Sequence, residues 1–358
     1  MKFAILYNID YQPSVHGSSS QYYGEILEQV QLIERLGYDA VWFGEHHYSG
    51  YSFGAPAVIA TAAADRTDRL RIGTGVSLVP LHHPLVLAEE YAMLDVLSNG
   101  RLEYGIGRGF LSLAYEVLNV DKQESVDRYR EGTELLIKAW SSEGPFSFQG
   151  KFWQLNNYRF SPKPVQQPHP PIYSAGTQTQ ESYLWAASKG LNLCTAFFIP
   201  NKQMVADNIR AYRQALSQCG YDASQREVVG VVPMYCGESR EEARRHGGQY
   251  VLNYFKFFGD LDRVGSQRGS AEGYEEMTFE YLDNAQMIFV GDPEALIERI
   301  QWAREYYACD YFMFEASHGG APHEHVVNSL ERFAKDVMPH FREPSLISPD
   351  PRKGPQKP

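Results

Sequence analysis

The sequence is short of several things at once, and each shortage removes a class of function. Cysteine is scarce: Cys194, Cys219, Cys236 and Cys309 are far apart and form no Cys-x-x-Cys. Neither a disulfide framework nor a zinc ribbon fits that spacing, and free buried thiols in a reducing compartment are expected. There is no apolar run of 18 residues, so no segment is expected to span a bilayer. Basic residues are in deficit. The 33 Lys and Arg against 44 Asp and Glu leave a net charge of -11, which speaks against a nucleic-acid backbone or an anionic membrane surface as partner. The stretch from Asn8 to Gly24 holds no Gly-x-Gly-x-x-Gly, so the dinucleotide-binding fingerprint is missing after the first apolar run. Internal repeats and linkers are absent too. The opening run Met1-Lys2-Phe3-Ala4-Ile5-Leu6-Tyr7 enters a strand directly and lacks a cleavage signature, which sets the expectation of a cytoplasmic protein.

What is present is a regular alternation. Short apolar runs read as buried strands at Phe3–Ile9, Ala40–Phe43, Leu70–Val79, Leu102–Ile106, Pro171–Ala175, Leu191–Phe197, Val228–Tyr235 and Tyr311–Glu315. Amphipathic stretches separate them. Ile26, Val30 and Ile33 repeat at helical spacing with Gly37 as a stop, and a helix opens at Gly54-Ala55-Pro56. Another opens at His83-Pro84 and closes at Ser98-Asn99-Gly100. Ser239 with Glu242 reads as a capping box, and Asp292-Pro293 as a cap followed by a first-turn proline. Eight strands alternating with eight helices predict one α/β domain over residues 1–342, a closed (β/α)8 TIM barrel with insertion loops. The long insertions are Ser141–Pro170 and Phe257–Asn284, whose aromatic residues suggest lids. Residues 343–358 carry Pro344, Pro349, Pro351, Pro355 and Pro358, the composition of a disordered tail.

In such a barrel, chemistry sits beyond the carboxyl ends of the strands. Trp42-Phe43-Gly44-Glu45-His46-His47-Tyr48 ends an apolar run by presenting a carboxylate and two imidazoles together. Side chains alternate along a strand, so one histidine can face the mouth while the other packs aside. Imidazole suits general acid–base work near neutrality, and a pair of structural histidines is the plainer alternative. His82-His83 follows the third strand. With His46, His47 and His318 it raises a metal site, but adjacent histidines on extended chain point apart, and no metal is expected. Leu102-Glu103-Tyr104-Gly105-Ile106-Gly107-Arg108-Gly109 combines glycines that admit a flat ligand with a guanidinium suited to phosphate. The plainer reading is a tightly packed barrel corner with a surface arginine. Ser174-Ala175-Gly176-Thr177-Gln178-Thr179-Gln180-Glu181-Ser182 turns into a helix whose first N–H groups suit an anion, against ordinary capping by Thr177 or Thr179.

The ordered set Glu45-His46-His47, Gly73-Thr74-Gly75-Val76-Ser77-Leu78-Val79-Pro80, Leu94-Asp95-Val96-Leu97-Ser98-Asn99-Gly100-Arg101, Gly105-Ile106-Gly107-Arg108-Gly109 and Pro162 to Pro171 resembles the bacterial-luciferase-like flavin-dependent monooxygenases over residues 1 to 341. The resemblance implies reduced FMN from a separate NAD(P)H:flavin reductase, a flavin C4a-hydroperoxide formed with O2, and oxygenation of a small organic substrate. It gives His46 the acid–base role, with Glu45 and His47 beside it. It assigns the FMN phosphate to Arg108, Thr179 and Ser182, and the rest of the flavin cradle to Gly75, Val76, Gly107 and Gly176. Gly75-Val76 stands where such proteins carry a non-proline cis peptide. Gly107 replaces the reactive cysteine of the luciferase α subunit, which argues against light emission. A homodimer is expected, with weak support from the apolar stretch Val58–Ala64. The same barrel hosts deazaflavin-dependent dehydrogenases. A metal-dependent hydrolase and an inactive flavin-binding subunit complete the alternatives.

Overall fold

A computed structural model describes residues 1–8, 11–47, 54–265 and 277–342, with side chains omitted from 258 to 265. Ile9, Tyr48, Phe258 and the proline-rich tail 343–358 therefore lie outside the described residues or side chains. Eight parallel strands form the barrel: β1 Lys2–Tyr7, β2 Ala40–Phe43, β3 Arg71–Thr74, β4 Leu102–Gly107, β5 Ile172–Ala175, β6 Asn192–Ala196, β7 Val228–Cys236 and β8 Tyr311–Glu315. Each pairs with the next in chain order. The ring closes because β8 also pairs with β1, setting Phe3 opposite Phe312 and Ile5 opposite Phe314.

Strands walled on both faces must be apolar on both, and these are. Alternate positions divide the two faces. Ala4, Leu6, Trp42, Tyr173, Cys194, Val229, Val231, Tyr311 and Met313 fill the barrel interior. Phe3, Ile5, Tyr7, Val41 and Phe43 point outward beneath the helices. The helix Ser19–Leu36 lays Tyr22, Ile26, Val30 and Ile33 on that layer. Ser18 caps it, and Gly37 ends it at a φ of 85°. Asp292 caps the helix Pro293–Tyr307 by accepting from the Ala295 N–H at 3.0 Å. Ser239 accepts from the Glu242 N–H at 3.2 Å, while the Glu242 carboxylate turns to the Glu238 N–H at 3.0 Å, so the box is offset by one residue.

Trp42 accounts for Gly73 and crowds Gly105. A Cβ on Gly73 would stand 2.3 Å from its indole, and one on Gly105 would stand 1.9 Å from the Thr74 carbonyl oxygen. Gly105 is therefore a packing glycine, and the plainer reading of its motif holds there. The Trp42 Nε1–H donates to the Tyr311 hydroxyl at 3.2 Å, which donates to Glu103 at 2.7 Å; Arg71 donates to the other Glu103 oxygen at 2.7 Å. A buried carboxylate with both oxygens occupied closes this part of the barrel.

Three expectations are corrected. Leu70–Val79 is not one strand: it breaks after Thr74, the Gly75–Val76 bond is cis, and Ser77–Leu78 rejoins the sheet beside β4. Ser141–Pro170 is not a bare loop, since Phe146–Gln149 and Gln154–Tyr158 form an antiparallel hairpin. Glu131 fixes its turn by accepting from the N–H groups of Lys151, Phe152 and Trp153. Phe146 and Trp153 are thereby core residues rather than parts of a lid. Within Phe257–Asn284, the helix Arg240–Gly265 continues well past Phe257, because Val251, Tyr254 and Phe255 give it a buried face, and Phe279–Asn284 is a further helix. A strand at Phe289–Gly291 also runs beside the outer half of β7. Among the described residues, no helix is long and apolar enough to cross a membrane.

Candidate active site at the strand ends

The carboxyl ends of β1, β2, β3, β4 and β8 bring the site residues together. After β2 the chain passes through Gly44, where a Cβ would meet the Asn8 Oδ1 at 2.1 Å and the Gly75 carbonyl oxygen at 3.3 Å. Glycine is required there because three strand ends converge on one point. Glu45 follows and is buried. Its Oε1 receives His47 Nε2 at 2.7 Å and His82 Nε2 at 2.5 Å, and its Oε2 accepts from the Leu78 N–H at 3.0 Å. Burial pushes this carboxyl up, but the hydrogen bonds from His47, His82 and Leu78 win and hold it down at about 2. On His82, burial favours the neutral ring, and the bond to Glu45 outweighs it and raises the pKa.

The His46 ring stands edge-on to Phe110 at 6.2 Å. Burial outweighs the Glu45 charge and lowers its imidazole to about 4. A neutral imidazole at pH 7 is a base. Of the pair, His47 is the one seen bonded to the buried carboxylate. His82 and His83 divide, since His83 caps the helix Pro84–Leu97 by accepting from the Leu85 N–H at 3.2 Å.

Glu45, His47 and His82 offer three ligand atoms within 4.8 Å of one another, the composition of a catalytic zinc centre. The spacing fits protons better. Both imidazoles stand at hydrogen-bond distance from one oxygen, whereas two ligands on a tetrahedral zinc are about 3.3 Å apart. His46 is not part of the cluster.

Arg108 is exposed just beyond β4. Its carbonyl accepts from the Tyr115 hydroxyl, and its guanidinium has no hydrogen bond or ion pair among the described residues. Tyr129 links it to the next element. The Tyr129 phenol is raised by burial, and the Ser174 hydroxyl at 2.7 Å and the Arg108 charge oppose that rise. The same ring lies 4.9 Å from Trp185 in the helix Gln180–Ser188. Thr179 is the N-cap residue of that helix, yet its hydroxyl bonds Ser182 Oγ at 2.9 Å instead of capping the backbone. Ordinary side-chain capping is therefore not what Thr179 does. Gly176 makes no left-handed turn; it is small because the Tyr183 ring would lie 3.1 Å from a Cβ. Gly107 leaves room for Val76, whose Cγ2 would be 2.4 Å from a Cβ there. Gly75, Val76 and Gly107 are thus one contiguous surface.

Sequence reasoning missed Glu315. It ends the apolar run of β8 as Glu45 follows that of β2, and that signal was available. Its Oε1 accepts from the Asn8 Nδ2 at 2.5 Å. Tyr7, by contrast, turns outward and donates to Gln29 at 3.0 Å. A cleft of about 590 Å³ lined by Arg240, Arg244 and Arg299 shares no residue with these groups. Its arginines are engaged by Asp292, Glu280 and Asp283.

Comparison with known proteins places the chain among flavin-dependent monooxygenases in sequence and fold. The oxygenase component of the flavin-dependent trigonelline monooxygenase of Acinetobacter baylyi is 29% identical over 356 residues, covering 96% of each chain. The crystal structure of the monooxygenase RslO1 from Streptomyces bottropensis superposes with a TM-score of 0.87 at 28% identity, over 96% of this chain and 100% of that one. The oxygenating constituent of 3,6-diketocamphane monooxygenase from Pseudomonas putida, a type II Baeyer-Villiger enzyme in complex with FMN, shares the fold with a TM-score of 0.78 at 21% identity, over 95% and 98%. Residues 1–308 match the sequence model of the luciferase-like monooxygenases, and the chain belongs to that family.

Proposed function

We propose that this protein is the oxygenase component of a two-component monooxygenase. It takes reduced FMN from a separate NAD(P)H:flavin reductase and adds one atom of O2 to a small organic substrate in the cytoplasm. The observation that carries the reading is His46, a neutral imidazole beside a buried carboxylate committed to two other histidines.

The residues suit FMN. Arg108 has a guanidinium with no protein partner among the described residues. Near it, the helix beginning at Gln180 has no side-chain cap on its first N–H groups, and Thr179 and Ser182 present hydroxyls. An anion is the group this set accepts. Gly75, Val76, Gly107 and Gly176 would border the ring and its side chain. When bound, reduced flavin supplies the electrons that activate oxygen. The protein's part is to hold the phosphate, exclude water and handle protons. His46 takes and returns a proton at its imidazole. Glu45 positions the chain on either side by fixing His47, His82 and Leu78. The exposed apolar residues Val58, Val86, Met93 and Leu97 support a homodimer through the helices Pro56–Asp65 and Pro84–Leu97.

The test is a titration with photoreduced FMN under argon, followed by mixing with oxygen while spectra are recorded. Saturable binding, then a transient flavin spectrum prolonged by substrate and shortened in His46→Ala, is the expected result. Tighter binding of a reduced deazaflavin than of reduced FMN, or oxygenated product formed without any flavin, overturns the proposal.

A further inference from the structure

One group of buried polar atoms at the mouth has no assigned work. Asn8 ends β1, Glu315 ends β8, and His318 follows it; their exposures are 9%, 2% and 4%. Asn8 Oδ1, Glu315 Oε2 and both ring nitrogens of His318 have no hydrogen-bond partner among the described residues. Buried polar atoms are nearly always paired, so four orphans in three adjoining side chains need a reason. The carbonyl of Glu315 lies near the imidazole without reaching hydrogen-bond geometry. Tyr254 packs across the His318 ring at 5.4 Å, and its hydroxyl lies against the Glu315 carboxyl.

The same barrel contains a control. Glu103 is equally buried, and both of its oxygens are occupied, by Tyr311 and by Arg71. That is a carboxylate used as scaffold. Glu315 has Asn8 on one oxygen; the other has the Tyr254 hydroxyl nearby but no partner in hydrogen-bond geometry, and no cation among the described residues offsets its charge.

The location is functional. The Asn8 Oδ1 and the Gly75 carbonyl oxygen crowd the same side of Gly44, the residue before Glu45. The orphaned Asn8 Oδ1 therefore lies beside the Gly75–Val76 segment, across which the flavin ring is proposed to lie, and Asn8 joins Glu315 to it. The orphaned atoms are weighted toward acceptors. Asn8 has spent its amide N–H on Glu315 and keeps its carbonyl; Glu315 keeps one oxygen; a neutral imidazole offers one acceptor and one donor.

We propose that Asn8, Glu315 and His318 form the polar end of the organic-substrate pocket and select substrates that carry a hydroxyl or amine donor. The assignment rests on the oxygenase reading above and adds the chemical class of its substrate. The donor enters between Asn8 Oδ1 and Glu315 Oε2, His318 takes the remaining lone pair or proton, and the apolar remainder extends toward the flavin.

The test uses three probes of similar size: benzyl alcohol, benzylammonium and ethylbenzene. Each is titrated calorimetrically into the full-length protein, with and without FMN. The alcohol or the ammonium is expected to bind at least about tenfold more tightly than ethylbenzene, and whichever is tighter identifies the preferred donor. Glu315→Leu and His318→Leu should each cut that preference to about threefold or less. Glu315→Gln, which keeps an acceptor, should preserve the advantage of the alcohol. Equal affinities, no binding of any probe, or a preference unchanged in both leucine variants overturns the assignment. Failure of FMN to bind alongside intact probe selectivity would instead remove the oxygenase reading and leave this pocket standing.

Discussion

His82 Nε2 lies 2.5 Å from Glu45 Oε1, joining the segment after β3 to the end of β2 across 37 positions of sequence. His47 reaches the same oxygen from only two residues away. Glu45→Ala would strand two imidazoles and the Leu78 N–H around one buried space. The expected loss is about 3 kcal/mol or more in urea unfolding, the scale for removing one partner of a buried charged pair. Glu45→Gln, which keeps an acceptor for Leu78, should lose less. An alanine variant as stable as the parent would show that the network is not structural.

Arg108 is predicted to act on cofactor affinity and not on stability, since its side chain is exposed and unpaired among the described residues. Arg108→Ala should weaken FMN binding by roughly 10- to 100-fold, the worth of one charge-assisted hydrogen bond. Its melting temperature should match the parent. Fluorescence titration with FMN measures the first and calorimetry the second; unchanged affinity would remove Arg108 from the phosphate site.

Glu315 predicts an unusual pH dependence. Burial raises its carboxyl from 4.5 to about 7, against the pull of Tyr254 and Asn8. The folded chain thus holds this proton more tightly than the unfolded chain. The stability it contributes is complete below pH 4.5 and is lost as pH rises through about 7, a change of roughly 3 kcal/mol. Glu315→Gln cannot titrate, so the parent should lose about that much relative to the variant between pH 4.5 and 8. Urea unfolding of both proteins at those two pH values reads it directly, and a constant difference would refute the shift.

Val58 and Met93 are 72% and 53% exposed, on the helices Pro56–Asp65 and Pro84–Leu97. If these helices carry a dimer, Met93→Asp should shift sedimentation equilibrium from dimer toward monomer by at least about tenfold in dissociation constant. A parent protein that is monomeric at micromolar concentration would end the idea.

Much of this architecture is legible in the chain because parallel strands buried on both faces cannot hide. The eight apolar runs mark all eight barrel strands, and caps such as Asp292 mark helix starts. Glu45, His46 and His47 stand out because charge follows immediately on an apolar strand. The glycine motif misleads in part. Gly105 is demanded by Trp42 and the Thr74 carbonyl, a contact between residues 31 or more positions apart that no local pattern reveals. Several residues that carry the family resemblance are scaffold. Asp95 binds the backbone N–H and the side chain of Gln166, and Arg101 ties Ser98, Leu70 and Ala64 together. The hairpin escapes because Glu131 in a preceding helix organises its turn. Glu315 escapes because its significance lies in a missing partner, and an absence of contact leaves no trace in composition.

The pairing of β8 with β1 has a consequence for biosynthesis. During translation, β1 through β7 emerge before the strand that joins the two ends of the sheet. Until Tyr311–Glu315 leaves the ribosome, the edges of β1 and β7 are both open, and each offers unpaired backbone donors and acceptors flanked by apolar side chains. A nascent chain in that condition is a template for association with its neighbours. The protein's yield in a cell should therefore depend on how well chaperones shield roughly the first 300 residues, more than on the stability of the finished ring.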